Sequence, residues 1–157
     1  VYICLCRAID APVPRVFDLA TDFAGSDRTI SAITRVEMLT EGPVRIGTRF
    51  RETRAMFGRE HSEVLEVTDL QTGHSVTLRS DFGGVAFAST FTFEPCEGGT
   101  LVTLEVVGKP LTLLARLTAP LAELMKSRIA ALLEQDLEDL RVAAESGADR
   151  GSESAPS

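Results

Sequence analysis

At 157 residues, 44% of them hydrophobic and 25% charged, the chain suits one globular domain that buries roughly two thirds of its unfolded surface. Its net charge of −7 argues against a nucleic-acid or anionic-membrane surface, because phosphate contacts need clustered Lys and Arg. No run approaches the roughly 18 apolar residues of a spanning helix, and the residues from Val1 onward lack the pattern of a signal sequence.

Tyr2 to Ile9 is a β-rich run that stops at Asp10-Ala11-Pro12. Pro14 can occupy the first turn of a short helix, Arg15 to Thr21, with Val16, Phe17 and Ala20 on one face. Asp22 to Ser31 is polar and contains Gly25, compatible with a second short helix or a loop. Strands are predicted at Ile33 to Leu39 and Thr48 to Ala55, separated by Glu41-Gly42-Pro43 and Gly47. Four more follow at Arg59 to Asp69, His74 to Ser80, Val85 to Glu94 and Thr100 to Val107. Turn chemistry at Met56-Phe57-Gly58, Gln71-Thr72-Gly73, Gly83-Gly84 and Glu97-Gly98-Gly99 divides them. Helical spacing then takes over, predicting one long helix from about Thr112 to Glu145, with Pro110 and Pro120 bracketing its start. Leu121, Met125, Ile129, Leu132, Asp136 and Leu140 fall on one stripe, with Leu124, Leu133 and Leu137 beside it. Ser146-Gly147 should end the helix, leaving one domain over 1–145 and a disordered polar tail over 146–157.

Several chemistries find no support. Cys4, Cys6 and Cys96 are odd in number, and a disulfide between two residues on one strand face is geometrically poor. With only His61 and His74 and no C-x-x-C pair, reduced thiols, no metal, no cofactor and a cytoplasmic address are expected. Gly83-Gly84 joins two strands, whereas a dinucleotide loop must open a helix. Glu134, Asp136, Glu138 and Asp139 read as a solvated helix surface, with Glu138–Arg141 and Glu123–Lys126 as i,i+3 pairs. Leu111, Leu113, Leu114 and Leu117 fall outside any regular pattern. They are read as packed, with a lip over a cavity or a dimer contact as the alternatives.

The order strand, two short helices, six strands, long helix resembles the START-like, or SRPBCC, superfamily, and in particular its small polyketide cyclase/dehydrase members. The resemblance spans about Tyr2 to Ala144. It is carried by Ile9-Asp10-Ala11-Pro12, Val16-Phe17, Thr21-Asp22, Gly47-Thr48-Arg49-Phe50-Arg51-Glu52, Val64-Leu65-Glu66-Val67-Thr68 and Phe91-Thr92-Phe93-Glu94-Pro95 before Gly99-Thr100. It implies an α+β helix-grip (Bet v 1-like) fold, in which a seven-stranded curved antiparallel sheet wraps a long C-terminal helix. The functions of that superfamily are diverse, from lipid carriers to cyclases and receptors, so the fold alone does not choose among them.

Strand alternation places the candidate ligand-binding residues. Phe87, Ser89 and Phe91 should face inward on one strand and Leu104 on the next, with Thr103 and Glu105 outside. Leu78 and Ser80 form the matching set one strand earlier, preceded by Leu65 and Val67, and then by Phe50. The helix would add Leu121, Met125 and Ile129. Inward alternation also brings Glu52, Arg54, His61 and Glu63 onto adjacent strands of the same face. These four are the candidate catalytic residues, because a carboxylate and a histidine in an apolar pocket can orient a polar head or move a proton. The simpler reading is a solvated mouth beside the Met56-Phe57-Gly58 turn. Tyr2 is the only tyrosine, and the deep positions are Phe, Leu, Val and Met. The leading expectation is therefore a carrier of a hydrophobic small molecule such as a lipid, isoprenoid or polyketide, acting as a monomer or weak homodimer without stable membrane insertion. A polyketide cyclase or dehydratase and a ligand-independent interaction module are the alternatives.

Overall fold

A computed structural model describes the backbone of residues 1–152 and the side chains of residues 1–146. Seven strands form one antiparallel sheet in the order β1-β7-β6-β5-β4-β3-β2. They are β1 (Tyr2–Ile9), β2 (Ile33–Met38), β3 (Arg49–Met56), β4 (Arg59–Gln71), β5 (Ser75–Phe82), β6 (Val85–Cys96) and β7 (Gly99–Pro110). Each expected strand is present within a few residues of its expected bounds. The hairpins explain the accuracy. Phe57 and Gly58, and Gly83 and Gly84, all have positive φ, the two-residue conformation that matches the twist of flanking strands.

The helices depart from expectation at both ends of the long one. Between β1 and β2 lie α1 (Val13–Thr21), a single 3-10 turn (Phe23–Gly25) and the one-turn α2 (Ser26–Thr29). After β7 the expected single helix is two: α3 (Leu113–Leu117) and α4 (Ala119–Ser152). The Thr112 hydroxyl caps α3 by accepting from Ala115 N at 3.1 Å, and Thr118 terminates it. Pro120 is then the second residue of α4, where no backbone N–H is needed. At the far end α4 runs to Ser152, past the Ser146-Gly147 stop read from sequence. A glycine weakens a helix by about 1 kcal/mol relative to alanine but does not forbid it. Of the tail expected to be disordered, residues 153–157 lie outside the described residues.

The core gathers at one end of the sheet. Val16 and Phe17 from α1, Phe23 from the 3-10 turn, and Leu137, Leu140 and Ala144 from α4 pack against Ile9, Phe50, Phe93 and Val102. Phe17 meets Phe93 edge to face at 5.3 Å, and Phe23 stacks on Phe50 at 4.6 Å. Two polar clamps hold α4 there. Arg15 Nε donates to the Ala144 carbonyl at 2.7 Å, and the Asp10 amide donates to Glu145 Oε1 at 3.0 Å.

The opposite end is open. The β3–β4 and β5–β6 turns and α3 meet there, and Phe57, Phe82, Leu111, Leu113, Leu114 and Leu117 are exposed. The packed reading of the Leu111–Leu117 group is therefore corrected. In so short a helix as α3 only one narrow face can turn inward, and Ala115 occupies it. Cys4, Cys6 and Cys96 are all free and exposed, away from this mouth.

Gly99 anchors the closed end by its lack of a side chain. A Cβ there would stand 2.1 Å from the Ile9 carbonyl oxygen and 2.9 Å from Ala11 N. The next residue, Thr100, is fully buried and donates its hydroxyl to the Ala11 carbonyl at 2.8 Å. Gly99→Ala should lower unfolding stability by about 3 kcal/mol or more, because the collision is with backbone that cannot yield. Gly98→Ala meets nothing within 4 Å and suffers only its left-handed φ of 85°, about 1–2 kcal/mol. Urea titration of the two variants beside the parent should show that order.

Candidate functional site

The register assembles one face of the sheet in rows. Phe50, Leu65, Ser80, Phe87 and Gly108 are successive cross-strand partners from β3 to β7. The adjacent row runs Val67, Leu78, Ser89, Val106 and Ile3. Phe91 pairs with both Val76 and Leu104 beyond it. All the strand residues expected to face inward therefore share one face. They differ in depth. Phe50, Val67, Leu78, Ser80 and Leu104 are buried, and all of them but Ser80 belong to the packed core. Leu65, Phe87, Ser89 and Phe91 are half-buried. Phe87 lies against Gly108, where an added Cβ would stand 2.9 Å from the ring.

From the helix, Met125 and Ile129 are half-buried toward the same face, and Ile129 packs on the core. Leu121 is exposed. The first turns of α4 thus leave the apolar band of the sheet partly uncovered. Two clefts lie elsewhere on the described residues. One, of about 380 Å³, sits on the outer face among Arg49, Arg51, Glu66 and Arg79. The other, of about 890 Å³, is bounded at the closed end by Pro12, Phe17, Thr72 and Gly99.

Two of the polar candidates, Glu52 and Arg54, are not in a solvated mouth, and for them that expectation is corrected. The Arg54 guanidinium on β3 reaches across to α4, with Nη1 at 3.0 Å from Asp136 Oδ1 and 2.8 Å from Oδ2. Its Nε donates to Glu52 Oε1 at 3.3 Å. The three side chains are only 12–17% exposed. Burial is expensive for lone charges, so the guanidinium between two carboxylates is what makes it tolerable. Burial raises the Glu52 carboxyl above its ordinary pKa, with Arg54 pulling the other way and Glu63 pushing further up. Asp136 is raised by burial against the same pull from Arg54. For Arg54, burial opposes the charge but Asp136 and Glu52 outweigh it, so its pKa rises.

Glu63 stands opposite Glu52 in the register and His61 opposite Arg54. The His61 ring approaches Phe82 edge-on at 6.0 Å, at the mouth. The structure thus brings Glu52 and Arg54 into direct contact and places Glu63 and His61 on the neighbouring strand.

Asp136 is the residue that sequence reasoning misplaces. Composition groups it with a solvated acidic surface, whereas its own position on the Met125–Ile129–Leu140 stripe points inward. Its neighbours instead meet partners at the protein surface. Glu138 pairs with Arg7 at 3.3 Å, and Asp139 accepts from Ser31 N and Oγ at 2.9 and 2.7 Å.

The family model for polyketide cyclase/dehydrase and lipid transport proteins matches residues 6–145. The chain belongs to that family. Its fold is shared by a solved protein of Thermus thermophilus, 24% identical over 92% of this chain and 99% of that one, with a TM-score of 0.68. A protein of Chromobacterium violaceum is 19% identical over 92% and 98% of the two chains, also at 0.68. The di-domain ARO/CYC StfQ from the steffimycin biosynthetic pathway gives a TM-score of 0.78 at 14% identity, and this chain spans 52% of it. No curated protein sequence matches. Within the polyketide cyclase/dehydrase and lipid transport family, then, this member is described by its half-covered apolar band and the Glu52–Arg54–Asp136 bridge.

The bridge has a pH signature. A carboxyl whose pKa is higher folded than unfolded binds its proton more tightly when folded, so its contribution favours folding at low pH and is lost as pH rises through the folded value. Glu52→Gln should therefore flatten the decline in stability between about pH 4 and pH 7 relative to the parent. Glu138 and Asp139, both lowered, contribute the opposite slope in both proteins and cancel in the comparison. Arg54→Ala, which strands two buried carboxylates, should cost about 3–5 kcal/mol at neutral pH and less in acid. Thermal denaturation across that pH range would show both effects.

Proposed function

We propose that this protein binds and carries a hydrophobic small molecule, such as a lipid, isoprenoid or polyketide, between the sheet and α4. The observation that carries this reading is the band of half-buried Leu65, Phe87, Phe91, Met125 and Ile129. Apolar side chains left half-covered on an otherwise packed face are stabilised when something apolar covers them. The band ends beside the Glu52–Arg54–Asp136 bridge, which offers hydrogen-bonding partners to one polar end of a ligand. Leu78, Ser80, Ser89, Leu104 and Leu121 would complete the deeper wall and the mouth. Apolar walls select size and shape, while the bridge fixes orientation.

A second reading, a cyclase or dehydratase, is favoured by one observation. Glu52 is a buried carboxyl with a raised pKa, the kind of group that can hold a proton for transfer. StfQ, similar in fold, is an ARO/CYC protein. His61 and Glu63 would then act from the adjacent strand. For a carrier, His61→Ala and Glu63→Gln should change affinity only modestly. For an enzyme, turnover should fall roughly 10²–10⁴-fold with binding intact.

Native mass spectrometry of protein purified from its own host, followed by extraction, should reveal a bound hydrophobic compound. Met125→Trp fills the band from the helix side. It should weaken uptake of a hydrophobic fluorescent probe at least tenfold, with stability changed by about 1–3 kcal/mol. A folded Met125→Trp variant with unchanged probe affinity would remove the proposed band as the binding site.

A further inference from the structure

We propose that the leucine-rich lip made by α3 and the first turns of α4 docks the protein reversibly on a bilayer surface rich in anionic lipid headgroups. Leu113, Leu114, Leu117, Leu121 and Leu124 are each 60–78% exposed. They fall within one twelve-residue stretch, 113–124, and Leu113, Leu114 and Leu117 share one side of α3. Leu121 and Leu124 share one exposed flank of α4, with Leu121 also standing one turn before the half-buried Met125 on its stripe. Single exposed apolar side chains are ordinary on a protein surface, whereas a contiguous group marks a contact.

The patch is held in a fixed place. The Leu111 amide donates to the Gly84 carbonyl at 2.8 Å, and Thr112 packs on Gly84 so closely that a Cβ there would stand 2.8 Å from its hydroxyl. The lip is thereby tied to the β5–β6 turn at the open end of the sheet.

Charge selects the occupant. From Lys109 to Arg128 there are four basic residues and one acidic residue, in a chain whose total is −7. Arg128 follows Leu124 by one helical turn and Leu121 by two, on the same flank. Lys126 is paired with Glu123 at 3.4 Å. Among the described residues, Lys109, Arg116 and Arg128 take part in none of the ion pairs. Exposed leucines interleaved with uncommitted cations fit the boundary between acyl chains and anionic headgroups. A second copy seated on the same face by two-fold symmetry would instead bring like charges together. The acidic remainder of the molecule is repelled by the same surface, so it orients the open mouth toward the bilayer. The whole-chain charge that argues against an anionic surface averages over this local reversal. No helix of the described residues is long and apolar enough to cross a membrane, so the contact is peripheral.

Sedimentation with extruded vesicles tests this. The full chain should bind vesicles of phosphatidylcholine mixed with phosphatidylglycerol, bind pure phosphatidylcholine far more weakly, and be released as salt rises. Arg116→Glu with Arg128→Glu should weaken binding to the mixed vesicles about thirtyfold, from roughly fivefold or more per basic residue removed. Leu117→Asp with Leu124→Asp should abolish it, while circular dichroism remains that of the parent, since both side chains are exposed. Absence of binding to the mixed vesicles at low salt would overturn the proposal, as would equal binding to both compositions or binding indifferent to the leucine changes. Light scattering that shows a dimer dissolved by Leu124→Asp, without vesicle binding, would assign the face to a second copy and overturn it equally.

Discussion

A single long helix has to serve a sheet of seven strands, and it can pack tightly against only part of it. Here α4 commits its later turns. Leu137, Leu140 and Ala144 enter the core beside Ile9, Val16 and Phe17, and Arg15 and the Asp10 amide fasten them by hydrogen bonds. Everything else about the molecule follows from that choice of end. The earlier turns, with Leu121 and Leu124 exposed, leave Leu65, Phe87 and Phe91 without full cover. The same asymmetry makes one end of the protein rigid and filled, and the other open.

Between the two ends stands the contact of Arg54 with Asp136 and Glu52. Ion pairs removed from water are poor sources of net stability, since the desolvation of each charge offsets much of the attraction. Their value lies in geometry. A guanidinium accepts partners only in certain directions, so Asp136 can meet Arg54 in few rotations of α4 about its axis. The helix is thereby oriented with Met125 and Ile129 toward the sheet and Leu121 at its edge. An apolar contact of equal area would permit sliding and rotation that this contact does not.

The strands were legible because alternation and turn residues agree with each other along the chain. Val102, Leu104 and Val106 are buried and Glu105 is exposed, as a period of two requires. The irregularity between Val67 and Asp69 in the β4–β5 ladder left no comparable mark in the sequence. Nor did the break between α3 and α4, where threonine capping competes with strong helix formers on either side. Glu52 and Arg54 could be placed on one face, but nothing local to them announced a partner 82 residues away on a helix. Asp136 carried the clue in being a charge on an apolar stripe. Such a residue is costly unless something answers it, and that cost is a better guide than the acidity of its neighbours.

Gly108 sits beneath the Phe87 ring near the end of the long strand β7, still within its ladder, where glycine is otherwise a weak choice. Its absent side chain lets the ring lie down on the sheet. The height of the ring above the sheet is thus set by a missing group rather than by a present one. An alanine or valine at that point would lift the ring and shorten the space above it, with every backbone hydrogen bond of the β6–β7 ladder intact. On the proposed carrier reading, a change at this one position would alter the length of molecule accommodated, leaving the closed end, the bridge and the lip as they are.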